Sequence, residues 1–244
     1  MLLKLICCDV FARMVCGFIS GSPHIVDVEF IPMLSHNEPA KLRAELQGRI
    51  DAAVGRKKYE KLIMGFGLCG NTTSGLTCGI PMILPRAHDC CTMFMGSKES
   101  FMSGFGGSLS ARWSSNGYYE RSFVADTTGY YSTELTYKTN AEYLKLVEDY
   151  GEDNAEYVWT TMHPQIESKE AVYIRIDGFE YNDSLMEYRR YVEGEGCELK
   201  VLEGDKSFIE ELVNGPWDNK KFLHVAPGEK VVPIYDMEEV FSAS

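Results

Sequence analysis

Two short apolar runs, Lys61-Leu-Ile-Met64 and Ile80-Pro-Met-Ile-Leu84, each stop at a polar cluster. The first is followed by Gly65-Phe-Gly67-Leu-Cys69-Gly70-Asn and the second by Pro85-Arg86-Ala-His88-Asp-Cys90-Cys91. Each run has the length of a buried strand and is too short for a typical helix. As neighbouring parallel strands they would deliver thiols, an imidazole, a carboxylate and a guanidinium to one edge of a sheet. Open α/β sheets bind their ligands at that edge.

Strand and helix signals alternate on both sides of these runs. Leu2–Cys8 reads as a first strand and residues 24–31, alternating and β-branched, as a second. Asn37 is a suitable N-cap for a helix in which Leu42, Leu46 and Ile50 share one face. Residues 88–102 form a further helix that opens at the second polar cluster. Helices are expected over 140–150, 154–162, 184–191 and 207–213, and strands over 171–176, 198–202 and 222–225. The expected fold class is α/β: parallel sheets with flanking helices, as two Rossmann-like lobes around a cleft. The chain of 244 residues is long enough for this. Residues 1–105 make the N-terminal lobe, 106–137 an aromatic, Gly/Ser-rich lid or loop, and 138–244 a helical segment with the C-terminal lobe.

Charge and cysteine content narrow the class of function. A formal net charge of -12 disfavours nucleic acid or an anionic membrane as partner, since both need basic patches. No stretch approaches the roughly 18 apolar residues of a membrane span. The first apolar run is short, meets Asp9 and has no small-residue cleavage site, so a cytoplasmic chain is expected. In a reducing compartment its eight cysteines are ligands, nucleophiles or small core residues rather than disulfides.

Gly65, Gly67 and Gly70 satisfy G-x-G-x-x-G directly after a strand, the pattern of a pyrophosphate-binding turn. That turn normally follows the first strand, and this one follows the third. Glycines that clear room around Cys69 account for the pattern better, although the three remain cofactor-binding candidates. Cys69, His88 and Cys90 are donors of the kind that hold zinc or iron–sulfur clusters. Cys8, ending the first strand, belongs to the same edge. Neighbouring strand residues face opposite ways, so Cys8 is chosen over Cys7 and Cys90 over Cys91. His36 follows the second strand and is a candidate ligand or acid/base, and Arg86 a candidate for binding an anionic group. A metal-free Cys90–His88 nucleophile is the other chemistry these residues leave open.

Leu34-Ser-His36-Asn-Glu-Pro39-Ala-Lys-Leu42-Arg, the Gly65 and Pro85 motifs, and Phe94-Met-Gly96-Ser97 resemble the family catalogued as domain of unknown function 1638. The resemblance extends over most of the chain, to Asn154-Ala-Glu-Tyr157 and Leu212-Val-Asn-Gly-Pro-Trp217. Genes of that family often lie close to those of corrinoid-dependent methyltransferases and corrinoid proteins. The resemblance thus implies a role in methyl-group or corrinoid metabolism without supplying an activity. Phe66 stands where the family leads one to expect tyrosine, and Cys91 where it leads one to expect an aliphatic residue. The second departure again favours Cys90.

The expectation is a metal-binding protein with ligands Cys8, Cys69, His88 and Cys90, zinc ahead of an iron–sulfur cluster. His36 and Arg86 would be its catalytic residues. It would act as a metal-dependent methyl or thiol transferase on a small-molecule substrate or with a corrinoid protein. A non-catalytic carrier of corrinoid or metal is the alternative from another class.

Overall fold

A computed structural model of the chain describes residues 1–56, 58–69, 71–105, 112–124, 141–151, 154–155, 157–159, 169–181, 183–234 and 240–244. Strand β1 (Leu2–Cys8) lies between β2 (Ile25–Ile31) and β3 (Lys61–Gly65), parallel to both, with Cys8 opposite Ile31 and Cys7 opposite Gly65. Six of its seven residues are buried, as expected of a central parallel strand covered on both faces. β4 (Met82–Pro85) continues the parallel set beside β3, and β8 (Phe222–Val225) closes the sheet antiparallel to β4. The order is β2-β1-β3-β4-β8. Helix α1 (Ala12–Ile19) links β1 to β2, and α2 (Pro39–Arg56) links β2 to β3 with Leu42, Leu46 and Ile50 fully buried.

One lysine interrupts the apolar run of β1. Lys4 is buried, and its ammonium lies 3.0 Å from Glu29 and 3.8 Å from Asp27 on β2. Burial alone would push the Glu29 carboxyl up. Hydrogen bonds from Arg49 of α2 and from Lys4 outweigh it and hold Glu29 below the usual range. These side chains line a cleft of about 320 Å³ between α2 and the edge of the sheet.

The second sheet is β5 (Arg112–Ser115), β6 (Glu170–Arg175) and β7 (Glu198–Glu203), all parallel. The expected α/β class with parallel sheets and flanking helices is therefore observed. The boundaries drawn from composition do not follow the sheets. Residues 112–124, inside the segment expected to be a lid, form β5 and the helix α5 (Asn116–Val124). Residues 106–111 and 125–137 lie outside the described residues, as do 156 and 160–162 of the helix expected over 154–162, whose described residues 154–155 and 157–159 are helical. Beyond β7 the chain returns to the first lobe: a helix at Ser207–Asn214 packs on α1 and β8 joins the first sheet. No helix of the described residues is long and apolar enough to cross a membrane.

The helix expected over 88–102 is two. α3 (Cys90–Met95) stops at Gly96, whose φ of 80° caps it in the left-handed conformation. α4 (Lys98–Gly104) restarts with Ser97 as N-cap, its hydroxyl accepting from the Ser100 amide at 3.1 Å. A side chain at 96 is excluded on two counts, because a Cβ there would also lie 2.4 Å from Asp205.

Both sheets share one core. Phe94 of α3 stacks on Phe11 with ring centroids 4.6 Å apart and meets Trp113 of β5 at 6.2 Å. Its carbonyl accepts from the Asp205 amide at 2.9 Å. Helix α5 is seated across the seam: Glu120 pairs with Arg13 of α1, and Tyr119 donates to Glu187 at 2.6 Å in the helix α7 (Ser184–Gly194); between α5 and α7 in the chain lies α6 (Ala141–Tyr150). Gly117 permits this seating, since a Cβ there would sit 1.9 Å from the Val10 carbonyl oxygen. Gly117→Ala is expected to destabilise the fold by about 1–3 kcal/mol, because backbone rather than a flexible side chain must yield. Urea unfolding measures it. An unchanged midpoint would mean that α5 does not rest on the Val10 turn.

Candidate functional site

Parallel pairing sends the exits of β1, β3 and β4 to one edge of the first sheet. Two of those exits are then stitched together. The Leu68 amide donates to the Ala87 carbonyl and the Cys69 amide to the His88 carbonyl, each at 2.8 Å. Gly67 allows this approach, as a Cβ on it would lie 2.5 Å from the Ala87 oxygen. Gly65 likewise makes room for the Cys7 sulfur, 2.3 Å from where its Cβ would be. Two glycines of the G-x-G-x-x-G pattern are thus accounted for by internal packing, against Cys7 and Ala87 rather than around Cys69. Gly70 lies outside the described residues.

The stitched loop holds Cys69 in an uncommon backbone state, with φ at 43°. For a residue with a Cβ the left-handed region costs about 1–2 kcal/mol. Surrounding contacts fix it there. Thr73 donates to the Gly67 carbonyl at 3.1 Å, the Thr72 amide to Leu68 at 3.0 Å, and Arg43 to the Asn71 carbonyl at 2.6 Å.

Cys90 is the centre of the arrangement. It opens α3, where Asp89 is the N-cap and accepts from the Thr92 amide at 2.9 Å. Its sulfur lies 2.6 Å from the Tyr118 hydroxyl, which α5 brings in from the second lobe. Burial pushes the Cys90 thiol up to about 12; the Asp89 carboxylate adds to this, and Tyr118 and the helix amides offset part of it. Cys8 is raised well above a normal thiol, first by burial and next by Cys90. Cys69 is raised by burial, then by Cys90, then by Asp89. Each outer thiol therefore senses the same central sulfur.

Other sequence candidates are placed as follows. Cys7 points its sulfur to the Gly65 carbonyl at 3.6 Å, and Cys91 is buried in the core. The His88 Nε2 is buried with no hydrogen-bond partner. The shifts of the three thiols trace to burial, to neighbouring thiols including Cys7, to Asp9 and Asp89 and to local hydrogen bonds, with no contribution from His88. Arg86 donates to the carbonyls of Asn219 at 3.0 Å and Phe241 at 2.6 Å, so these donors fasten the exit of β4 to the C-terminal strands. His36 lies in the 3₁₀ turn Met33–Asn37 after β2, and its side chain is outside the described residues. Among the described residues no three His, Cys, Asp or Glu groups form a ready-made metal cage.

Three residues at this edge escaped the sequence reading: Asp9, Tyr118 and Arg121. Asp9 follows Cys8 and accepts from the Met33 amide at 2.9 Å. Burial raises its carboxyl, and Arg121 of α5 opposes the rise. The available signal was the i, i+3 spacing of Tyr118 and Arg121 after a strand-like Trp-Ser-Ser and a capping Asn116.

The model of the family described as "Protein of unknown function (DUF1638)" matches residues 30–213. The chain belongs to this family. The DUF1638 match takes in Cys69, His88, Cys90, Tyr118 and Arg121, while Cys8 and Asp9 precede it. No curated protein and no solved structure matches the chain.

Raised thiols make stability depend on pH in a fixed direction. A folded-state pKa above the unfolded value near 9 means that the buried thiols contribute their full share below about pH 9. That share is lost as pH rises from 9 toward 12. In the metal-free protein, unfolding free energy is expected to fall above pH 9 by up to about 1.4 kcal/mol per pH unit for each such thiol. Urea titrations at about pH 8, 9 and 10 test this. A flat profile would mean that the thiols are already ionised.

Proposed function

We propose that the strand-exit edge is a soft-metal centre with Cys8, Cys69 and Cys90 as ligands and His88 as the candidate fourth. The observation that carries the reading is that Cys8, Cys69 and Cys90 leave three adjacent parallel strands at one edge, two of these exits being joined by the Leu68–Ala87 and Cys69–His88 hydrogen bonds. Thiols withdrawn from water and coupled to one another ionise poorly alone, and a divalent cation would reverse that balance by deprotonating them. The orphaned His88 Nε2 supports the same reading, because a buried nitrogen without a partner suits a site completed by something else. Such a donor set favours zinc, with an iron–sulfur cluster as the second choice.

When bound, the metal would act as a Lewis acid and activate a thiol or a methyl-bearing group. The chain's own residues do the rest. Asp89 and the α3 amides fix where Cys90 starts, and the Gly67 stitch fixes Cys69. Tyr118 holds the Cys90 sulfur by a hydrogen bond that favours its thiolate. The family resemblance points to corrinoid-linked methyl or one-carbon metabolism as the setting, with a small molecule or a corrinoid protein as partner. A metal-free nucleophile is the weaker reading, since a thiol held up to about 12 is scarcely ionised near neutrality.

Protein purified without oxygen is expected to carry close to one equivalent of zinc or one cluster by elemental analysis. Cys69→Ser and Cys90→Ser should each release it. Less than about a tenth of an equivalent of any transition metal would overturn the reading, and so would retention by both variants. Loading zinc into the metal-free protein near neutral pH should release about three protons, one per thiol. Calorimetry in buffers of different ionisation enthalpy counts them, and release of none would exclude thiolate ligation.

A further inference from the structure

Arg121 is a cation in an unusual position. Its Nε is buried without a hydrogen-bond partner, and among the described residues it forms no salt bridge. Its electrostatic neighbour is Asp9, whose Oδ1 already accepts from the Met33 amide at 2.9 Å. Of the five N–H donors of this half-buried guanidinium, the buried Nε is the one left without an acceptor, and Asp9 does not supply it. Buried donors are nearly always paired, so an orphaned one at a strand-exit edge calls for a missing acceptor.

Its location identifies that acceptor. Arg121 and Tyr118 are three residues apart on α5 and so share a face of the helix. Tyr118 reaches the Cys90 sulfur at 2.6 Å, and Arg121 acts electrostatically on Asp9, the residue after Cys8. One helix of the second lobe thus carries both the Cys90 partner and a cation that acts on the residue after Cys8. We propose that Arg121 is the receptor for an oxyanion, a carboxylate or phosphate group of the small-molecule substrate. The planar fork of a guanidinium matches both groups in two-point geometry, which a lysine does not. The substrate is therefore an acid: its charged end docks on Arg121 while its reacting end lies toward Cys90. This rests on the strand-exit edge being the functional site and does not require a metal there.

The test uses the full chain, both as purified and stripped of metal, with inorganic phosphate and acetate as probes and chloride at matched ionic strength as the control. At least one probe should raise the thermal midpoint of the wild type saturably. Arg121→Met should abolish that rise, and Arg121→Lys should weaken the half-saturating concentration about tenfold, because charge is kept and the fork is lost. Which probe works tells carboxylate from phosphate. No saturable response to either probe in the wild type overturns the proposal, as does an undiminished response in Arg121→Met. Should Arg121→Met not fold, an Arg121→Lys response equal to wild type overturns it instead. Cys69→Ser separates the two readings: loss of metal with the oxyanion response intact supports both. A response in a protein that never holds metal sustains this inference while the metal centre fails.

Discussion

The backbone ladder between the exits of β3 and β4 is the constraint on which the site depends. Without the Leu68–Ala87 and Cys69–His88 hydrogen bonds the two loops would be independent, and Cys69 would have no reason to occupy a left-handed conformation. The ladder in turn requires the missing side chain of Gly67. Each step is local, yet the outcome is long-range: a thiol from one crossover and a thiol from the next are brought within electrostatic reach. Asp89 completes the sequence by setting the start of α3 and hence the position of Cys90.

Much of the first sheet was legible because its strands β3 and β4 are covered on both faces. Such strands read as unbroken apolar runs, and parallel pairing then fixes which end the chemistry leaves from. That is why Cys8, Cys69 and Cys90 were named together from residues more than 80 positions apart. Elements whose signals are not periodic were less legible. β8 is four residues long and joins the first sheet antiparallel, and nothing in Phe-Leu-His-Val says which sheet it serves. The glycines and serines around Trp113 and Tyr118 gave the segment the composition of a loop, although its strand and helix use those small residues for close contact. Arg86 resembled an anion binder because its acceptors, Asn219 and Phe241, lie 133 and 155 residues away.

Lys4 shows the same sheet handling charge in a different way. A lysine in a central strand is tolerated because Glu29 and Asp27 stand beside it on β2 and Arg49 closes over Glu29 from α2. All these charges are matched within the cleft. At the opposite end of β1 the matching is incomplete: Cys8 and Cys69 face another thiol, Arg121 has an orphaned donor, and His88 has an orphaned nitrogen. Unsatisfied groups are rare in native interiors, and two of those found here, on His88 and Arg121, belong to this edge.

Gly117, which lets α5 rest on the Val10 carbonyl, has a consequence for the lifetime of the thiols in air. The first lobe supplies all three sulfurs, but the second supplies the helix that roofs the central one. Separating the lobes by a single layer of water would break the Tyr118–Cys90 contact and leave the half-buried Cys90 more open to dissolved oxidants. The seam is thus a shield as well as a joint, and resistance to oxidation becomes a property of how tightly two sheets are held together.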